Sequence, residues 1–302
     1  MTRRMVMCLV LALAALISSQ AQDGRYPNLW QVAVQVKITY SEREQMYYFD
    51  YTLTNKDSNR GSIDQLEIDI SKEPGTIDLD TVGLRFENDE FTEGSFRRNF
   101  PSLEGKIVPV GVLQTPGVTW IGGLTDNLTA SFGADSGFVE PGRSLGGFEL
   151  VSKGVPAIRR CIVSPYFDVM VLFPDSDDTT VTYSPPPVDS VREAVKFRGL
   201  TIGPAAPPLN LVPAVFIDTL ISYKHQALAL GWIKDPGTTT SLDQKLNNAR
   251  QQLERGNTKS AKNILEAFVN EVEALNKQGK QITSEAYALL KYNAEYLISK
   301  LE

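Results

Sequence analysis

From Ser241 to Leu301 the apolar residues recur at the spacing of an α-helix, and this run constrains the fold more than any other stretch of the chain. Leu242, Leu246, Ala249 and Leu253 share one helical face, so that face must be buried. Ser241 with Gln244 fits a capping box at the start, and Gly256 supplies a stop. A second helix is marked by Ala261, Ile264, Leu265, Phe268, Val272 and Leu275 and ends at Gly279. A third opens at Thr283 as N-cap, with Ile282 and Tyr287 placed as a hydrophobic staple, and carries Ala286, Leu290, Ala294, Leu297 and Leu301. Short connections make neighbours antiparallel. Three short helices bury little, and a fourth is expected upstream. There Val215, Phe216, Leu220, Ile221, Leu228 and Trp232 fall at helical spacing before Asp235-Pro236-Gly237, with Trp232 as the plug of the bundle.

The run Ser241 to Ala249, then Leu253, Gly256, Asn257, Ala261, Leu265 to Val269, Val272, Gly279 and Ile282 to Leu290 resembles the FIMAH-type helical domain. The resemblance implies a compact helical module of the kind placed at the C-terminus of secreted bacterial adhesins and hydrolases. It implies no catalytic residues.

Upstream the period changes from helix to strand. Trp30, Val32, Val34, Val36, Ile38 and Tyr40 alternate with polar residues, and Tyr47, Phe49, Tyr51 and Leu53 repeat the pattern. After a polar turn around residues 56–61 come Leu66, Ile68 and Ile70. Further strands are expected at residues 81–86, 107–113, 118–121, 128–132, 144–151, 161–173 and 179–183. Turn residues separate them at intervals that suit a sandwich. Phe49 to Asn55, Ile63 to Ile70 and Glu140 to Phe148 resemble exported bacterial β-sandwich domains, including those of sorting-tail proteins. That resemblance implies secretion and an immunoglobulin-like sandwich. A sorting tail is not expected, because the sequence closes on an amphipathic helix.

The expected organisation is therefore a multidomain all-β plus all-α chain, an immunoglobulin-like β-sandwich followed by a small four-helix bundle. Residues 1–21 read as a signal peptide, with Arg3-Arg4, an apolar run from Met5 to Ile17 and Ser19-Gln20-Ala21 as the cleavage site. Residues 22–183 form the sandwich, 184–213 a stiff proline-rich linker with a short strand within 194–200, and 214–302 the bundle, whose FIMAH-like core is 241–301. The apolar run is too short to span a bilayer, so no membrane span is expected after signal removal. The localisation that follows is secreted, periplasmic or cell-surface.

Several chemistries are excluded. Once Cys8 leaves with the signal, Cys161 stands alone and no intramolecular disulfide forms; it reads as a buried small apolar residue. One histidine, His225, and one cysteine rule out the familiar hydrolase triads and most zinc sites. Residues 22–183 carry 14 Lys and Arg against 24 Asp and Glu, an acidic balance that argues against nucleic acid. Two weak binding signals remain. The acidic loop with Asp175, Asp177 and Asp178 offers hard oxygens for calcium, although it lacks the glycine and distal glutamate of an EF-hand. Tyr48 and Trp120 are candidates for a sugar-stacking platform, with cross-strand packing as the plainer alternative. No catalytic residue and no other cofactor is expected. The functional expectation is a non-catalytic binding or adhesion-type protein with a protein or glycan partner at the cell surface; the alternative is a carbohydrate-binding or minor hydrolytic module with an accessory helical domain.

Overall fold

The computed structural model describes residues 27–70, 82–86, 112–115, 118–124, 129–167, 188–277 and 281–301. The expected signal peptide, the Asp175 loop and the strand expected at 179–183 lie outside them. Among the described residues ten strands make two antiparallel sheets. In chain order they are β1 (Val32–Ser41), β2 (Met46–Asn55), β3 (Ile63–Asp69), β4 (Val82–Phe86), β5 (Val112–Thr115), β6 (Val118–Leu124), β7 (Thr129–Ser136), β8 (Ser144–Ser152), β9 (Val155–Pro165) and β10 (Phe197–Ala205). The smaller sheet has the order β1-β2-β8-β4 and the larger β10-β9-β3-β7-β6-β5.

Alternation in the sequence becomes the core between the sheets. Phe49, Tyr51 and Leu53 of β2 and Phe148 and Leu150 of β8 are fully buried against Leu66, Ile68, Phe132 and Val163 of the larger sheet. Phe148 joins the layers through ring contacts with Trp120 at 4.9 Å and Phe132 at 5.4 Å. The buried Tyr51 hydroxyl donates to the carbonyl of Ile202 across the core at 2.9 Å, which satisfies its one polar atom.

The segment expected to be a tether is instead part of the sandwich. Helix α1 (Val188–Val195) leads into β10, which pairs with β9 from Phe197↔Val163 to Ala205↔Val155. Proline does not prevent this, because β10 is an edge strand and Pro204 needs no partner on its open side. The Arg159 guanidinium holds the Pro204 carbonyl from the inner side at 2.7 and 2.9 Å.

Four helices follow: α2 (Pro213–Ala229), α3 (Pro236–Glu254), α4 (Thr258–Lys277) and α5 (Ser284–Ser299). Helix α3 begins five residues before the expected Ser241 cap. Asp235 accepts from the amides of Gly237 and Thr238, and Pro236 follows at the first helical position, a stronger start than the capping box. Gly256 stops α3 with φ of 75°, and Thr283 caps α5, both as the sequence indicates. Trp232 lies beyond the end of α2 and packs against both the sandwich core and the bundle core, as do Tyr223 and Tyr296.

Helix α5 joins the two parts. Ala288, Leu289 and Tyr292 complete the core of the sandwich, while Ala286, Leu290, Ala294 and Leu297 complete the bundle. Its polar side chains close the edge of β1 that faces away from β2. Buried Glu285 accepts from the Val36 amide at 3.0 Å, and the Tyr292 hydroxyl donates to the Ile38 carbonyl at 3.0 Å. Asn293 donates to the Pro156 carbonyl of β9 at 2.7 Å. A Glu285→Ala variant leaves the Val36 amide buried without an acceptor, so chemical denaturation should show a loss of about 1–3 kcal/mol. Hydrogen exchange at Val36 should speed up accordingly. A chain cut before residue 213 should fail to give a stable sandwich, because it lacks the three core residues of α5.

Candidate functional site

A β-bulge builds a place where buried polar groups meet open space. The β3–β9 register passes from Ile63↔Pro165 to Gln65↔Ser164, so Asp64 is an extra residue in β3. Such a bulge re-aims side chains. Ile63 and Leu66 stay in the core, and Asp64 and Gln65 both line the outer side of the sheet with Ser164 of β9. Helix α1 lies over them, anchored by Val191 and Val195 on Phe167. The space enclosed is about 500 Å³, within the range of small-molecule sites, and Arg192, Glu193 and Lys196 form its outer wall.

The polar lining is not self-satisfied. Asp64 Oδ1 and Ser164 Oγ are buried without a hydrogen-bond partner, and Ser164 is only 7% exposed. Buried polar atoms are almost always paired, so two orphans in one cavity are a property of the site. Burial pushes the Asp64 carboxyl up from 3.8 to about 6, against the opposing pull of a hydrogen bond with its own backbone amide and of Arg192 and Lys196. Glu193 goes the other way. Its hydrogen bond to Lys196 at 2.5 Å and its pairing with Arg198 at 2.6 Å hold it below the ordinary value. The Arg192 guanidinium lies over the Phe167 ring at 5.8 Å.

The helical half is a second unit to be placed. Residues 218–299, from within α2 to the end of α5, match the FIMAH domain family model. This region is a FIMAH domain. The family is found in bacterial surface proteins. No curated protein matches the chain. No helix among the described residues is long and apolar enough to cross a membrane. Within the FIMAH domain, fully buried Lys224 of α2 forms an ion pair with Asp243 of α3 and contacts His225 Nε2 at 3.0 Å. His225 is itself exposed, and Asp243 Oδ2 lies 3.7 Å from it. The group ties α2 to α3. Removing Asp243 as Asp243→Ala strands a buried charge and should cost about 3–5 kcal/mol in chemical denaturation.

The structure separates the expected platform residues. Trp120 is 0% exposed, packed on Phe148, and its indole N–H donates to the Gly137 carbonyl at 3.1 Å. It is a core residue, because β6 turns it inward and a carbonyl satisfies its one donor, so it offers no stacking face. Tyr48 is half-buried in β2, paired with Thr39 and Val151, in the other sheet. The two do not meet. Asp175, Asp177 and Asp178 lie outside the described residues, and among those described no three His, Cys, Asp or Glu gather to hold a metal. Cys161 is buried, with its thiol pushed up to about 12, which leaves it inert as a nucleophile. The aromatics that reach solvent at one end of the sandwich are Trp30, 48% exposed under Arg60 at 5.4 Å, and Tyr166, 46% exposed and stacked on Phe138 at 4.5 Å.

Asp64, Ser164, Arg192 and Lys196 were not singled out by sequence reasoning. One signal was present: the apolar phase slips by one residue between Ile63 and Leu66. The folded carboxyl of Asp64 keeps its proton to about pH 6, whereas an unperturbed one loses it near 3.8. Ionisation therefore destabilises the fold, with no effect below about pH 4 and the full effect above pH 6. Asp64→Asn should stabilise the protein by about 1 kcal/mol at pH 7.5 after discounting for its partial exposure, a rise of about 2–3 °C in Tm, and by nothing near pH 4.

Proposed function

We propose that the chain is an exported bacterial binding protein of the cell surface, without catalytic activity, whose sandwich captures a glycan in the cavity beneath α1. The observation that carries this reading is the pair of orphaned buried polar atoms, Asp64 Oδ1 and Ser164 Oγ, in an open polar cavity. Unpaired groups of this kind cost stability, and a ligand that pairs them recovers it. The signal-like N-terminus and the FIMAH domain support export. Exposed Trp30 and Tyr166, which flank the loop of residues 56–62, support a glycan over a protein partner, because sugar rings stack on aromatic faces.

A second reading, glycoside hydrolysis, is favoured by one observation. Asp64 and Glu193 line the same cavity with carboxyls shifted in opposite directions, the arrangement expected of an acid and its ionised partner. Against it, both Glu193 oxygens are engaged by Lys196 and Arg198. A glycan array probed with residues 22–302, with calcium and with chelator, tests both readings. Selective binding that Ser164→Ala weakens and chelation leaves intact is the expected result. Binding abolished by chelation moves the site to Asp175, Asp177 and Asp178. Release of reducing sugar from the bound glycan establishes hydrolysis, and an array with no selective signal removes the glycan reading.

A further inference from the structure

The unmet capacity of the cavity has a direction. On the sheet side stand Asp64 Oδ1, an acceptor, and Ser164 Oγ, which both donates and accepts. Gln65 stands beside them and spends one of its two amide donors on Ser131 at 3.1 Å, which leaves its carbonyl oxygen as an acceptor and one N–H as a donor. On the helix side stand two cations. The charge of Lys196 is answered by Glu193, but Arg192 hydrogen-bonds to no described residue and meets only the ring of Phe167. Asp64 and Arg192 sense one another across the space without forming an ion pair. A ligand that bridges them must present an anionic group to the helix and hydrogen-bond donors to the sheet.

We infer that the cavity takes a hydroxylated carboxylate, a sugar acid of the uronate type, with its carboxylate on Arg192 and its ring hydroxyls on Asp64 and Ser164. This rests on the glycan-binding reading above and narrows it. A planar carboxylate matches the two-pronged donor set of arginine. Ring hydroxyls donate to Asp64 and accept from Ser164, and they do so whether or not Asp64 carries a proton. A zwitterionic amino acid meets the same two charges less well. Its ammonium needs Asp64 ionised, and it brings a third cation beside Arg192 and Lys196. A neutral sugar satisfies the sheet side and leaves Arg192 unanswered. Pro165, Phe167 and Val195 also line the cavity, whose exposed surface is mostly polar, as a hydroxylated ligand requires.

Isothermal titration of the chain from residue 22 onward with galacturonate, galactose and glutamate at pH 7.5 tests the inference. Galacturonate should bind at least tenfold more tightly than either other probe. Arg192→Gln, a substitution at an exposed position, should remove that tenfold advantage while circular dichroism and Tm stay unchanged. Ser164→Ala should weaken galacturonate and galactose alike. Galactose binding as tightly as galacturonate, or glutamate binding more tightly, overturns the ligand class and leaves the binding reading standing. Galacturonate affinity unchanged in Arg192→Gln places the carboxylate elsewhere and overturns the inference too. Failure of all three probes together with a silent glycan array overturns the binding reading itself.

Discussion

The fold depends on how one open sheet edge is closed. Strand β1 pairs only with β2, so the amide of Val36 and the carbonyls of Val34 and Ile38 face the other way, where they need partners. Three side chains answer them in turn: Thr201 of β10 at 3.4 Å, Glu285 and Tyr292 of α5. A helix cannot continue a hydrogen-bonded ladder, but side chains from one helical face reach alternate residues of a strand. The same face inserts Ala288 and Leu289 between the sheets. A polar seam and an apolar wedge therefore act at one position, and the FIMAH domain is fused to the sandwich and not strung from it.

The place of the cavity follows from the pairing of β10 with β9. With α5 on one side of the molecule and α1 on the outer face of the larger sheet, the segment from residue 188 to 205 is drawn back into the sandwich as a helix and an edge strand. Arg192 and Lys196 thereby come to stand over the β3 bulge. Lys196 and Arg198 each hold one oxygen of Glu193, and Val191 and Val195 hold the helix down on Phe167. The cavity is thus made by elements that are each fixed for reasons of packing. Its polar atoms are left over from that packing.

Much of this was legible in the residues. Period 3.6 in 242–301 marks α3 to α5, and period 2 in β1 and β2 marks the inward faces, because burial on one side leaves a local trace. What failed has a common cause. Trp120 was a candidate for a stacking platform with cross-strand packing as the alternative, Pro204 fell in the expected linker, and Asp64 was not singled out. In each case the deciding fact is which strand lies alongside, and pairing between distant segments leaves no local pattern. The start of α3 is different. Asp235-Pro236 is a local signal of good quality, and it was read as the end of the preceding helix because a turn and a cap use the same residues.

The hydrogen bond between Glu285 and Val36 spans 249 residues of chain, and that between Tyr292 and Ile38 spans 254. Loop closure over such separations is slow, and contacts that complete a core from afar delay its consolidation. During synthesis β1 emerges early, yet its outer edge and the last pieces of its core arrive only when α5 does. For most of the time the ribosome spends on this chain, the early strands have no finished structure to lock into. The order of the segments along the chain thus sets the delay before the early strands can lock.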